Sequence, residues 1–215
     1  MGSAGQKNRK FVSRAGEKLE AALDAFGLDV MGLLCADFGC NVGGFTDCML
    51  GRGARGVLAV DTGYGELAWT LRKDERVTVM ERTNALHAEP PELVDLVVAD
   101  VAWTPQRLIV PAAAAWLKPG GRIVSLLKPH FELAKLQGKK PHAPLTDSQA
   151  DEVARTVQSQ LAEMSLPPRA GIRSPLRGKG GNCEYVLLFQ PGFNRSHKKQ
   201  EPRMNTDSHG FFEKA

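Results

Sequence analysis

The chain of 215 residues has no apolar run long enough to cross a bilayer. Its longest, roughly Leu108 to Leu117, is interrupted by Pro111, whereas a spanning helix needs about 20 apolar residues. The opening stretch MGSAGQKNRKF carries charges with no apolar core behind them, so no secretory leader is expected. Cysteine is scarce. Cys35, Cys40, Cys48 and Cys183 form no CxxC pair and have no histidine at metal-like spacing, so no metal is expected, and free thiols in a reducing cytoplasm are the simplest state. No internal repeat is visible. Hydrophobic residues at 42% and charged residues at 24% are ordinary for a soluble globular protein with a packed core. The length suits one sizeable domain, or at most two small ones.

Net charge is only +4, but the cations are clustered at Lys7 to Arg14, Lys135 to Lys140, Arg169 to Lys179 and Arg195 to Lys199. One such cluster is an ordinary solvated loop. Several together suit a polyanion, because neutralised phosphates release counterions. A nucleic-acid partner is therefore expected, and no membrane partner.

Residues 1–10 read as a flexible start. SRAGEKLEAALDAF then has helical periodicity, with Leu19, Ala22, Leu23 and Phe26 on one face, Ser13 as N-cap and Gly27 as terminator. Strands are expected near Leu33–Phe38, Gly56–Val60, Val77–Met80, Leu93–Ala99, Arg122–Leu127, Pro168–Arg173 and Glu184–Phe189. Helices fit near Gly44–Arg52, Gly65–Arg72, Gln106–Trp116 and Thr146–Met164. This alternation predicts an α/β fold with a mostly parallel seven-stranded sheet and helices on both faces. The last two strands, with no clear helix between them, suggest an antiparallel hairpin at one edge. Residues 191–215 are polar and turn-rich and read as a disordered tail.

The glycine turn after the first strand does not fit the dinucleotide spacing GxGxxG. DFGCNVGGFT instead gives D-x-G-x-x-x-G-G over Asp37, Gly39, Gly43 and Gly44, followed by Phe45. An acidic residue leading that spacing is the pattern of S-adenosylmethionine-dependent methyltransferases, where a ligand sits beyond the strand ends. Asp37 would lie near the methionine ammonium. Asp61, closing the second strand in VLAVD, can accept both ribose hydroxyls, and Asn84 can meet the adenine edge. The bland alternative is a tight strand-to-helix turn, which Asp61 in register argues against.

Two chemistries lack their residues. After the fourth strand, DVAW replaces the [DN]PP[YF] box of base-methylating enzymes, and no Pro-Cys nucleophile stands there. What remains is Asp100 and, one strand on, Lys128 at the end of the apolar run IVSLL. Lys18 on the first helix and Glu184 opening the last strand also carry charge among core positions.

FVSRAGEKLEAALDAFGLDV, GGFTDCMLGRGA, AVDTGYGELAWTLRKDERVTVMERTN, LLKPHFE and GNCEY resemble the methyltransferase domain of the TlyA-type, hemolysin-like proteins. Those belong to the FtsJ-like group of RNA 2′-O-methyltransferases, and the resemblance spans roughly residues 11–190. It implies a Rossmann-like S-adenosylmethionine-dependent fold acting on RNA, with ribosomal RNA the leading candidate. It also implies a Lys-Asp-Lys-Glu tetrad, which falls on Lys18, Asp100, Lys128 and Glu184. Physically, a ribose hydroxyl must lose its proton as it attacks a sulfonium methyl. A lysine can take that proton if burial and a neighbouring cation bring its pKa from about 10.4 towards roughly 7–8. Lys18 is the expected cation, with Asp100 and Glu184 holding both amines. The alternative for these four is a set of ordinary surface ion pairs.

The pattern departs from the family in places. Such proteins usually carry a small RNA-binding domain ahead of the catalytic helix, so targeting cannot be carried over. Cys40, Asn41 and Val42 replace small residues in the cofactor turn, and DVAWTPQ replaces the usual DLSFISL. Trp103 there is open to two readings, a stacking surface for a base or a core side chain. Two other functions stay open: a non-catalytic RNA-binding or assembly module on the same fold, and a membrane-active hemolysin-like protein.

Overall fold

The computed structural model describes residues 10–138 and 144–192. The first nine residues, the chain beyond Gly192 and the basic positions Lys139, Lys140 and Arg195 to Lys199 lie outside the described residues.

Among the described residues, seven strands form one sheet: β1 (Leu34–Phe38), β2 (Gly56–Val60), β3 (Val77–Met80), β4 (Val94–Ala99), β5 (Leu117–Leu127), β6 (Ala170–Arg173) and β7 (Tyr185–Phe189). Their spatial order is β3-β2-β1-β4-β5-β7-β6. The pairings of β1 through β5 are parallel, and β7 runs antiparallel to both β5 and β6. The last two strands do form an antiparallel pair, with β6 at the edge and β7 inserted beside β5. A loop with a 3-10 turn at Lys179–Gly181 joins them.

Among the described residues, six helices cover the sheet: α1 (Ala15–Phe26), α2 (Gly44–Gly51), α3 (Trp69–Arg72), α4 (Gln106–Ala115), α5 (Pro129–Leu136) and α6 (Asp147–Glu163). Successive strand residues point to opposite faces, so the central strands feed two cores. On one face, Cys35, Val57, Ala59, Leu96, Val98 and Val124 pack against Leu19 and Leu23 of α1 and Met49 of α2. On the other, Ala36, Phe38, Val60, Val97 and Ile123 meet Ile109 and Val110 of α4 and Val157 and Leu161 of α6. β1, β2 and all but one residue of β4 are buried, as parallel strands covered on both sides must be.

Three local expectations change. The N-cap of α1 is Arg14, with no side-chain cap. Ser13 instead accepts from the Ala15 N–H at 3.3 Å, because its hydroxyl turns back on its own loop. Gly27 does end α1 in the left-handed region. The helix expected over Gly65–Arg72 is a single turn starting at Trp69, since the Gly63–Gly65 segment bends rather than winds. An additional helix, α5, starts at Pro129, where the fixed ring and missing N–H suit the first helical position.

Trp116 closes the core beneath α4. It is 1% exposed, meets Phe38 edge-on with centroids 4.8 Å apart, and donates its indole N–H to the Ala88 carbonyl at 3.1 Å. Trp116→Ala empties this volume and leaves that carbonyl unpaired. It should cost about 3–5 kcal/mol, read as a lower urea midpoint with an unchanged slope.

Candidate active site

In an open α/β sheet, ligands bind beyond the carboxyl ends of the strands where the order reverses. Here β1 lies between β2 and β4, and the cavity opens above those three strand ends. It encloses about 570 Å³.

One half is the glycine turn after β1. Gly39 has φ +80°, and a Cβ there would stand 2.7 Å from the Asp100 carbonyl oxygen. Only glycine lets the two strand ends approach this closely. Gly44 opens α2 against α1, where a Cβ would meet Ser13 Oγ at 2.1 Å. Gly43 is different. It does not line the cavity; at φ +99° its α-carbon packs towards Leu71 and Leu67, so it shapes the turn from behind. Phe45 is buried in the core and shows one edge to the cavity.

Asp37, at the end of β1, is 1% exposed. Its Oδ2 accepts from the backbone N–H and hydroxyl of Thr46, at 2.9 and 2.7 Å. Its Oδ1 is sealed and has no hydrogen-bond partner. Burial pushes this carboxyl up to about 7, the bonds from Thr46 oppose the rise, and the Asp100 charge adds to it. Asp61, just past β2, accepts from Asn41 N–H and Gly63 N–H, both at 2.8 Å. A carboxylate has about four acceptor sites, so two remain for a ligand. Asn84 is exposed and accepts from Leu86 N–H at 3.0 Å, which keeps its amide NH₂ for a ligand. An orphaned buried acceptor, a close glycine cradle and a part-satisfied carboxylate fit S-adenosylmethionine, whose ammonium and ribose hydroxyls would meet them.

The other half brings together Lys18, Asp100, Lys128 and Glu184 around the same cavity. They form two ion pairs. Lys18 of α1 donates to Glu184 Oε2 at 2.5 Å, with side chains 11% and 4% exposed. Lys128, between β5 and α5, faces Asp100 Oδ1, with side chains 14% and 20% exposed. Its ammonium stands off the hydrogen-bonding direction of that oxygen, so the second pair is ionic rather than directional.

Several cavity residues carried no signal in spacing or charge. Gly178 is one: a Cβ there would lie 2.1 Å from Glu184 Oε1. Phe131 and His130, just past Lys128, form an aromatic wall with Trp103. Trp103 is not a core residue. It is 57% exposed, holds φ +62°, and its ring lies 4.9 Å from that of Phe131. A bulky side chain in the left-handed region is strained. Behind this loop, the buried Glu132 accepts from Gln106 N–H at 2.7 Å, and Gln106 donates to the Leu126 carbonyl at 3.1 Å, tying α4, α5 and β5 together. Cys35, Cys40 and Cys48 offer no nucleophile here: burial pushes Cys35 and Cys48 up to about 12, and Cys40, which lines the cavity, higher still.

A seven-stranded sheet of this order, with an acidic glycine turn at its switch point, defines a Rossmann-like methyltransferase. The chain belongs to the FtsJ-like methyltransferase family, which matches residues 11–190. It is 43% identical over 195 residues to the 16S/23S rRNA (cytidine-2′-O)-methyltransferase TlyA of Mycobacterium tuberculosis, covering 87% of this chain and 71% of that one. It is 34% identical over 187 residues to Hemolysin A of Brachyspira hyodysenteriae, covering 85% and 78%. A hemolysin-named structure from Streptococcus thermophilus superimposes with a TM-score of 0.78 at 35% identity, covering 87% of this chain and 70% of that one.

Asp37 makes the stability of the ligand-free protein depend on pH. Its folded pKa lies above the unfolded value, so its stabilising protonation is complete below about pH 4 and is lost as pH rises through about 7. Read by calorimetry as the difference between wild type and Asp37→Asn, the loss across that window should be roughly 4 kcal/mol. Asp37→Asn keeps the acceptor for Thr46 and should flatten the profile, while weakening cofactor binding.

Gly178→Ala should push Glu184 off Lys18. Turnover should fall by about tenfold or more, and the melting temperature should drop with it, because a nearly sealed ion pair is broken.

Proposed function

We propose that this chain methylates a ribose 2′-hydroxyl of ribosomal RNA, with residues 11–190 as the catalytic domain. The observation that carries the reading is one cavity holding both the cofactor turn and the two Lys–carboxylate pairs. The name of the mycobacterial relative supports the substrate, and the exposed cations Arg14, Arg107 and Arg169 suit a phosphate backbone. No helix among the described residues is long and apolar enough to cross a membrane.

S-adenosylmethionine supplies an electrophilic methyl group. The chain's own work is to hold the ribose and take its proton. Asp37 holds the amino-acid end of the cofactor. Gly39, Gly44 and Phe45 shape its bed, Asp61 takes the ribose hydroxyls, Asn84 meets the adenine, and Asp100 borders the reacting end. Lys128 Nζ, once its ammonium has released a proton to solvent, accepts the proton of the target hydroxyl, and Asp100 fixes where that nitrogen stands. Lys18 and Glu184 form the opposite polar wall, sealed enough to hold one geometry. Alignment supplies most of the rate, and the proton transfer roughly 10²–10⁴-fold. Trp103 and Phe131 give the unpaired base an aromatic surface to stack on.

Labelled cofactor incubated with bacterial ribosomal subunits should place its methyl on ribose, read by nucleoside analysis. Label on a base or on protein overturns the assignment. Lys128→Ala should lower turnover by about 10³-fold with cofactor affinity nearly intact. Lys128→Arg should be equally inactive, because a guanidinium keeps the charge but cannot release a proton.

A further inference from the structure

His130 is placed where a ring can do more than fill space. It is the second residue of α5 (Pro129–Leu136), two positions after Lys128, and it lines the cavity with Lys128, Asp100 and Trp103. Its ring lies against Phe131, with centroids 4.2 Å apart and planes tilted by 36°. Nδ1 is sealed and has no hydrogen-bond partner, which leaves Nε2 as the ring nitrogen open to the cavity. Burial and the neighbouring Lys128 charge both hold the imidazole below its usual range, so the ring is neutral under ordinary conditions.

A neutral imidazole has one N–H and one lone pair, and their placement is set by the surroundings. A proton on Nδ1 would be a buried donor with no acceptor, next to a cation that repels it. The proton therefore belongs on Nε2, and the ring presents a donor to the cavity. A base stacked against Phe131 and Trp103 turns its edge towards such a group, as extruded bases are commonly read.

We propose that His130 selects the target base, its Nε2–H donating to the ring-nitrogen acceptor on the Watson–Crick edge of an unpaired cytosine. The inference rests on the proposed ribose methylation, and the cytidine in the mycobacterial relative's name agrees with it. Uracil presents an N–H at the same ring position. Two donors would then face each other, and a buried donor left unpaired discriminates strongly. The orphaned Nδ1 is what prevents the tautomer from switching to accept it.

The test first maps the methylated nucleotide with the full chain on bacterial 30S and 50S subunits. Transcripts of that site are then compared with the target nucleotide as cytidine, uridine or 3-deazacytidine, which lacks the ring-nitrogen acceptor. The protein should prefer cytidine to both by about tenfold or more. His130→Leu should methylate all three at similar rates, with cofactor affinity unchanged. His130→Gln should bring uridine to within about threefold of cytidine, because an amide can turn either its oxygen or its NH₂ to the base. Equal rates on cytidine and 3-deazacytidine overturn the proposal, whatever the variants do. So does a His130→Leu protein that keeps the preference, or that loses the same factor on all three. If ribose is not labelled in either subunit, the proposed function falls, and this inference with it. Ribose labelling without base preference overturns this inference alone.

Discussion

The ion pair between Lys18 and Glu184 joins the first helix to the last strand of the sheet, and the shape of the cavity depends on it. Both side chains are almost sealed. Removing one partner of such a pair strands the other charge and typically costs about 3–5 kcal/mol. An apolar replacement of both would hold the fold as well or better, so stability does not explain why charges stand here. They do give the cavity that Lys128 also lines a fixed polar wall. Gly178 is the matching concession in the backbone, since any side chain there would collide with the Glu184 carboxylate.

The cavity divides by electrostatics. The end at the glycine turn is acidic and partly unsatisfied: Asp37 carries a buried free oxygen, and Asp61 is held by backbone donors with acceptor sites to spare. That end gains from a cationic ligand. The other end is balanced, two amines against two carboxylates. The two ends meet at Asp100, whose backbone carbonyl touches Gly39 and whose side chain faces Lys128. One residue after β4 thus couples the glycine turn to where the lysine stands.

Much of this was legible along the chain. The strands β1 to β4 and the helices α2, α4 and α6 were readable because apolar runs, glycine turns and caps act over a few residues. The acidic glycine turn was readable for the same reason, as was Asp61. Gly43 shows the limit of motif reasoning, because it belongs to the turn without touching the cavity. The exposure of Trp103 was not legible, since an apolar side chain near core strands looks buried until its left-handed backbone turns it outward. Helix α5 was hidden by its Lys-Pro start, which reads as a turn.

The sequence by itself determined the alternation of elements, the residue types at each strand end and the chemistry they are capable of. Local hydrogen bonding and side-chain periodicity are enough for that. Only the tertiary structure decided the pairing of charges: Lys18 with Glu184 and Lys128 with Asp100. The first pair spans 166 positions, and no local rule sets which carboxylate an amine will face. It also decided that Asp37 and His130 each keep a buried polar atom without a partner. Burial is a property of everything packed around an atom, and the sequence alone does not display it.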